Sequence, residues 1–225
     1  MKLLIIYSLL IVSSFSFAVE LRPYEATYSI TRDGKKTGEQ ITRLTRTGKD
    51  SWRIEDHIAG TNGLASFIGF NRTEITDFTQ ERGQFQTTKH TMQQEAAFSK
   101  KQYQFTWNEV LNQFEIQYKD QKVSYTPKNE TIISTQLMPL LLSLAACEQQ
   151  QKLELNVLKN KQPRTYHFII EKQPQNTAKR IYEENINKST QMWFDDKRQC
   201  LSVKQIHKDN DEPVIETQLI DFNWL

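Results

Sequence analysis

Apolar and polar residues alternate with period two along most of this chain. Tyr24, Ala26, Tyr28 and Ile30 share one face, as do Trp52, Ile54 and Ile58, then Tyr103, Phe105 and Trp107, then Phe114, Ile116 and Tyr118. The second half repeats the pattern with Leu153, Leu155 and Val157, with Tyr166, Phe168 and Ile170, with Leu201 and Val203, and with Ile220, Phe222 and Trp224. Successive side chains of a strand point to opposite sides, so each run predicts a half-buried strand. Between the runs stand turn formers: Asp33-Gly34, Thr47-Gly48-Lys49-Asp50, Arg82-Gly83, Asn112-Gln113, Lys119-Asp120 and Lys208-Asp209-Asn210-Asp211. Strands joined by such short turns lie side by side and antiparallel. The fold class expected is mostly β: a single antiparallel, strongly curved sheet, open barrel or sandwich-like, with one apolar helix packed on or in it.

Two segments depart from the strand rhythm. From Ser134 to Cys147, Leu137, Leu140, Leu141 and Leu144 recur at i, i+3, i+4 and i+7, which predicts a helix with Ser134 or Thr135 as its cap. Met138, Leu142, Ala145 and Ala146 make it apolar nearly all round, so it should be buried on more than one side. Pro139 must sit in its first turn or kink it. The segment from Gly60 to Phe70 is apolar yet punctuated by glycine, as a loop or short helix folded over a sheet edge or a cavity mouth would be. Leu64, Phe67 and Ile68 of this flap, with Leu137 and Leu141 of the helix, are the candidate ligand-binding residues.

The N-terminus changes the compartment. Met1-Lys2, an apolar run from Leu3 to Val12, and small residues at Ser16 and Ala18 read as a secretory signal peptide over residues 1–18, cleaved after Ala18. The run is too short for a membrane span, which needs roughly 20 apolar residues. Residues 19–225 are then expected to fold as a single β-rich domain, since the strand rhythm continues through both halves without a Pro/Gly/Ser-rich linker. In an oxidising compartment Cys147 and Cys200 read either as a disulfide or as two buried thiols.

Charge and motifs exclude more than they select. With 29 Lys and Arg against 27 Asp and Glu, dispersed along the chain, no nucleic-acid partner is expected. No cofactor or metal is expected, because no phosphate loop, nucleophile elbow or cluster of Cys and His occurs. His57, His90, His167 and His207 fall singly on different predicted strands, and read as surface or strand histidines. The acid pairs Glu183-Glu184 and Asp195-Asp196 read as solvated strand ends or turns. Asp56 shares the alternation of Trp52, Ile54 and Ile58 and would need a partner such as Arg43 or Arg53 if buried, though residue preference favours an exposed strand end. The 12 Phe, 8 Tyr and 4 Trp are either core or pocket lining. Asn71, Asn129 and Asn187 head Asn-x-Ser/Thr sequons, which matter only in a eukaryotic secretory route.

Several of these features recur in one order. The opening Tyr24-Glu-Ala-Thr-Tyr-Ser-Ile, Gly34 and Gly38, the apolar helix at 134–146, the segment from Thr190 to Ile206 with Trp193, Asp195 and Asp196, and the final strand from Ile215 to Phe222 together resemble the DUF3108 family of exported bacterial proteins of unknown function. The resemblance spans nearly the whole mature chain. It implies a periplasmic β-rich protein and brings no catalytic residues. The function expected is a non-enzymatic binding module for a hydrophobic or lipid-like ligand or for a cell-envelope partner. The alternative is a hydrolase of an envelope polymer, for which Asp56, His57 or His167 would have to converge with a serine or a second acid in one cleft.

Overall fold

The computed structural model of the protein describes residues 20–81, 83–171, 177–181, 188–198, 200–209 and 212–225. The expected signal peptide, Glu183-Glu184 and the sequon at Asn187 lie outside the described residues. The first eight strands are β1 (Tyr24–Arg32), β2 (Lys35–Arg46), β3 (Ser51–Gly60), β4 (Asn71–Glu81), β5 (Gln84–Ala96), β6 (Ser99–Asn108), β7 (Gln113–Tyr118) and β8 (Gln121–Tyr125), with a one-turn helix α1 (Gly63–Phe67) between β3 and β4. The rest are β9 (Ile132–Ser134), a 3-10 turn at Thr135–Leu137, helix α2 (Met138–Cys147), β10 (Lys152–Lys159), β11 (Gln162–Glu171), β12 (Thr177–Ile181), β13 (Lys188–Asp195), β14 (Leu201–Asp209) and β15 (Glu212–Trp224).

These strands form one sheet, ordered β8-β7-β6-β5-β4-β3-β2-β1-β15-β14-β13-β12-β11-β10-β9. The chain meanders outward in both directions from the pair made by its first and last strands, which run from Tyr24 opposite Trp224 to Arg32 opposite Ile215. Its two edge strands, β8 and β9, are therefore neighbours in sequence. The sheet curls until β9 meets β5, where the Ser134 amide donates to Thr87 Oγ1 at 2.9 Å and the Ile132 amide to Gln86 Oε1 at 3.4 Å. Side chains of β5 take the place of a backbone ladder there, so the curl approaches a barrel without closing it.

The sheet is mixed rather than purely antiparallel as expected. β9 pairs parallel with β10, from Ile132 opposite Asn156 to Ser134 opposite Leu158. Parallel neighbours require a crossover of a dozen residues or more, and the segment from the 3-10 turn through α2 supplies it. The helix also starts later than its leucine spacing suggests, because Pro139 favours the first helical turn and the residues before it form the 3-10 turn. Neither Ser134 nor Thr135 caps it; the Ser134 hydroxyl is taken by Thr76 instead.

All residues from Leu140 to Ala146 are buried, so α2 fills the interior of the curl rather than lying on it. Around it pack Tyr24, Leu44, Trp52, Ile54 and Phe78 from one half of the chain and Leu155, Tyr166, Phe168 and Met192 from the other. A second apolar cluster forms where Tyr103, Phe105, Phe114 and Ile116 of β6 and β7 pack on Ile132 and Leu158. Each large side chain buried this way stabilises the fold by about 1.5–3 kcal/mol. Cys147, at the end of α2, is bonded to Cys200, just before β14, with their Cα atoms 5.6 Å apart. Among the described residues no helix is long and apolar enough to cross a membrane.

Candidate functional site

The interior is divided by α2. Pro139, Leu140 and Ser143 face a cavity of about 300 Å³ walled by β1 to β4 and by β13 to β15, while Leu141, Leu144 and Ala145 face a second cleft of about 350 Å³ beside Phe85 and Ile133. The helical spacing of three and four residues produces this split, since positions 139, 140 and 143 share one face and 141, 144 and 145 another.

The first cavity is where the strand alternation turns polar. Register places Thr42 on β2 opposite Asp56 on β3, and Asp56 opposite Glu74 on β4, all on the interior face. Asp56 is only 9% exposed. Its Oδ1 accepts a hydrogen bond of 2.5 Å from the Thr42 hydroxyl, which in turn accepts one of 3.1 Å from Gln40 Nε2. Burial raises the Asp56 carboxyl to about 6; its bonds from Thr42, Gln40 and Gln136 pull the value down, and the nearby Glu74 charge pushes it up. Glu74, also buried, is paired with Arg72 two residues earlier on the same face. Burial and the neighbouring Asp56 charge raise the phenol of Tyr24 well above its usual range; for Tyr28 the charge of Tyr24 adds to the same two causes.

A second row of interior residues continues this network. Thr76 Oγ1 donates to Gln136 Oε1 at 2.7 Å, and Gln136 Nε2 donates to the Glu74 carbonyl at 3.0 Å. Having given its one proton to Gln136, Thr76 Oγ1 accepts from the Ser134 hydroxyl at 2.9 Å and from His90 Nδ1 at 2.8 Å. That network assigns the His90 proton to Nδ1. His90 is buried among Tyr103 and Phe105, with ring centroids 5.7 and 5.2 Å away, and its Nε2 lies 3.9 Å from Glu74 Oε2. Burial, aided by the Arg72 charge, depresses it to about 3, so it is neutral at any ordinary pH.

The candidates read from the sequence scatter. Asp56 is buried rather than at an exposed strand end, and Thr42 and the two glutamines satisfy it in place of the arginine a buried position would have called for. Arg43 and Arg53 instead pair with Glu25 and Asp77. His57 is exposed beside Thr73, His167 stands 3.4 Å from Glu154, and His207 bonds Thr190 at 2.8 Å, each apart from Asp56. His90, expected on a surface or ordinary strand position, is the one histidine drawn into the interior network. Asp195 ends β13 and Asp196 opens a 3-10 turn, in keeping with their reading as turn residues. Among the described residues no three of His, Cys, Asp and Glu gather as a metal site.

Of the five candidate ligand residues, none lines the cavity around Asp56. Leu141 lines the second cleft, Leu137 is wholly buried in the core, and Leu64 and Phe67 project outward from α1. The residues missed, Glu74 and Thr76, lie on β4, where the inward positions Arg72, Glu74 and Thr76 are polar and give no apolar alternation. Their one sequence signal is Phe78, which shares a face with Arg72, Glu74 and Thr76.

No family model and no curated protein sequence matches this chain. Solved structures do. A β-barrel-like protein of the domain of unknown function DUF1849 from Brucella abortus superposes with a TM-score of 0.59 at 9% identity, over 92% of this chain and 100% of that one. A DUF1089 family protein from Pseudomonas aeruginosa and the hypothetical protein CT021 from Chlamydia trachomatis each give a TM-score of 0.38, at 10% and 6% identity. They cover 71% and 91% of this chain, and 90% and 88% of their own. The first likeness establishes a barrel-like β fold.

Proposed function

We propose that the protein is an exported, non-enzymatic binding module that holds a small amphipathic molecule in the cavity between α2 and strands β1 to β4. The observation that carries this reading is a buried carboxylate, Asp56, lining a cavity of about 300 Å³ where apolar Ile54, Ile58, Leu140 and Met192 stand beside polar Gln40 and Gln205. Ligand sites combine apolar walls with a few fixed polar groups in this way. The apolar walls take the body of the ligand, and Asp56 accepts a bond from its donor group. The leader expected over residues 1–18, the disulfide and the resemblance to DUF3108 support a periplasmic setting. Native mass spectrometry of the protein lacking residues 1–18, purified from the periplasm without detergent, tests it. Extra mass that leaves on denaturation, and that is reduced in Asp56→Asn, is expected; a native mass equal to the polypeptide less two hydrogens overturns it.

One observation favours a hydrolase instead: Asp56 and Glu74 meet in one cavity. The two acids stand on adjacent strands of the same wall, however, and each is already engaged, Asp56 by Thr42 and Glu74 by Arg72. Acid–base pairs work from opposite sides of the bond they cleave. Incubation with peptidoglycan is expected to release no fragments, and release abolished by Asp56→Asn would reverse the assignment.

A further inference from the structure

The flap α1, expected to help hold a ligand, has its apolar side chains in solvent. Leu64 is 72% exposed, Phe67 88% and Phe98, in the β5–β6 turn, 106%. The backbone holds these tips together: the Ala97 amide donates to the Ile68 carbonyl at 2.6 Å, tying the β5–β6 turn to the segment after α1. Ala97 does so at φ 50°, a left-handed conformation that is costly for a residue with a Cβ. On its other side α1 is seated against β3, where Gly60 leaves room for Ala65. Soluble surfaces rarely gather large apolar side chains at this exposure, and such a patch marks an interaction site.

The surrounding charge selects the partner. In a meander every second turn falls at the same end, so the β5–β6 and β7–β8 turns share a rim. The β10–β11 turn joins them through Lys161, which bonds Gln121 and lies over the Tyr118 ring. Along this arc Lys101, Lys119, Lys122, Lys159 and Lys161 are all exposed, with Lys100 paired to Glu95 at 2.8 Å and Asp120 the other acid. Val110 and Leu111, exposed in the β6–β7 turn at the opposite end, have Glu109 and Glu115 nearby instead.

We propose that this rim docks the protein on an anionic lipid bilayer, with Leu64, Phe67 and Phe98 entering the headgroup region and the lysines facing lipid phosphates. Apolar tips flanked by lysine suit an interface that is oily below and negative above. Ile58, which lines that cavity, and Gly60, which seats α1, lie two residues apart on one face of β3, so docking would bring the membrane close to the Asp56 cavity. The inference stands whether or not that cavity is occupied.

Vesicle flotation with the protein lacking residues 1–18 tests it. Binding is expected to phosphatidylglycerol-containing vesicles and not to pure phosphatidylcholine. The variant Leu64→Ser/Phe67→Ser/Phe98→Ser should bind at least tenfold more weakly, and Lys101→Gln/Lys122→Gln about fivefold more weakly for each lysine removed. Val110→Ser/Leu111→Ser should bind as the parent does. All these positions are exposed, and an unchanged near-UV spectrum confirms each variant is folded. No flotation of the parent, equal flotation on neutral vesicles, or unchanged binding by the triple serine variant overturns the proposal and turns attention to a protein partner for the same rim.

Discussion

The Thr42 hydroxyl donates a 2.5 Å hydrogen bond to Asp56 across the β2–β3 pair, on the inner face of the curled sheet. A carboxylate buried there unpaired would cost several kcal/mol. Thr42, itself fed by Gln40, is what lets a charged group occupy a position whose neighbours along the strand, Trp52 and Ile54, are core residues.

Asp56 and His90 should make stability almost independent of pH over a window where each alone would tilt it. Asp56 titrates near 6 in the folded protein against an ordinary 3.8, so its contribution grows as pH falls through 6 and is lost as pH rises. His90 titrates near 3 against an ordinary 6.5, so its contribution is present above 6.5 and is lost as pH falls. Between pH 6 and 4 the two slopes oppose, each about 1.4 kcal/mol per pH unit. As pH falls from 6 to 4, urea unfolding should show Asp56→Asn losing about 2 kcal/mol and His90→Asn gaining a similar amount. Parallel profiles for the parent and both variants would count against the assignment.

Replacing both Cys147 and Cys200 by serine opens a loop of 53 residues in the unfolded chain. The loss expected from chain entropy is about 4 kcal/mol. Thermal unfolding with and without reductant measures it, and the serine variant should be insensitive to reductant.

Gly60→Ala should loosen the flap. A Cβ there would lie 2.6 Å from the backbone carbonyl of Ala65, too close to tolerate without displacing α1. The expected cost is about 1–3 kcal/mol. Limited proteolysis between residues 61 and 70 should become faster while unfolding elsewhere keeps its cooperativity.

The seam between β5 and β9 rests on Thr87. Thr87→Val keeps the shape and removes the acceptor of the buried Ser134 amide, at a cost of about 1–3 kcal/mol. Amide hydrogen exchange at Ser134 should speed up more than exchange in the β1–β15 pair.

Part of this was legible from local pattern. Alternation at Tyr24 to Ile30, Trp52 to Ile58 and Tyr103 to Trp107 marked strands, and Asp33-Gly34 and Lys119-Asp120 marked their turns, because side-chain direction and positive φ are properties of a few consecutive residues. The leucines at 140, 141 and 144 marked a helix that had to be surrounded, as it is. Strands β4 and β5 were opaque: their inward residues Glu74, Thr76 and His90 are polar, and polarity on a strand ordinarily signals solvent.

Local residue order was enough to set the repertoire of elements: strands, turns, one buried helix and two cysteines able to pair. Folding of the whole chain set which strands became neighbours, that the first and last of them pair, that β9 runs parallel to β10, and that Asp56 faces Glu74 inside while Phe67 faces out. Those outcomes depend on contacts between residues as far apart as Tyr24 and Trp224 or Thr76 and Gln136. A local pattern fixes which way a side chain points from its own strand, but only the closing of the sheet fixes whether that direction leads to water or to another wall.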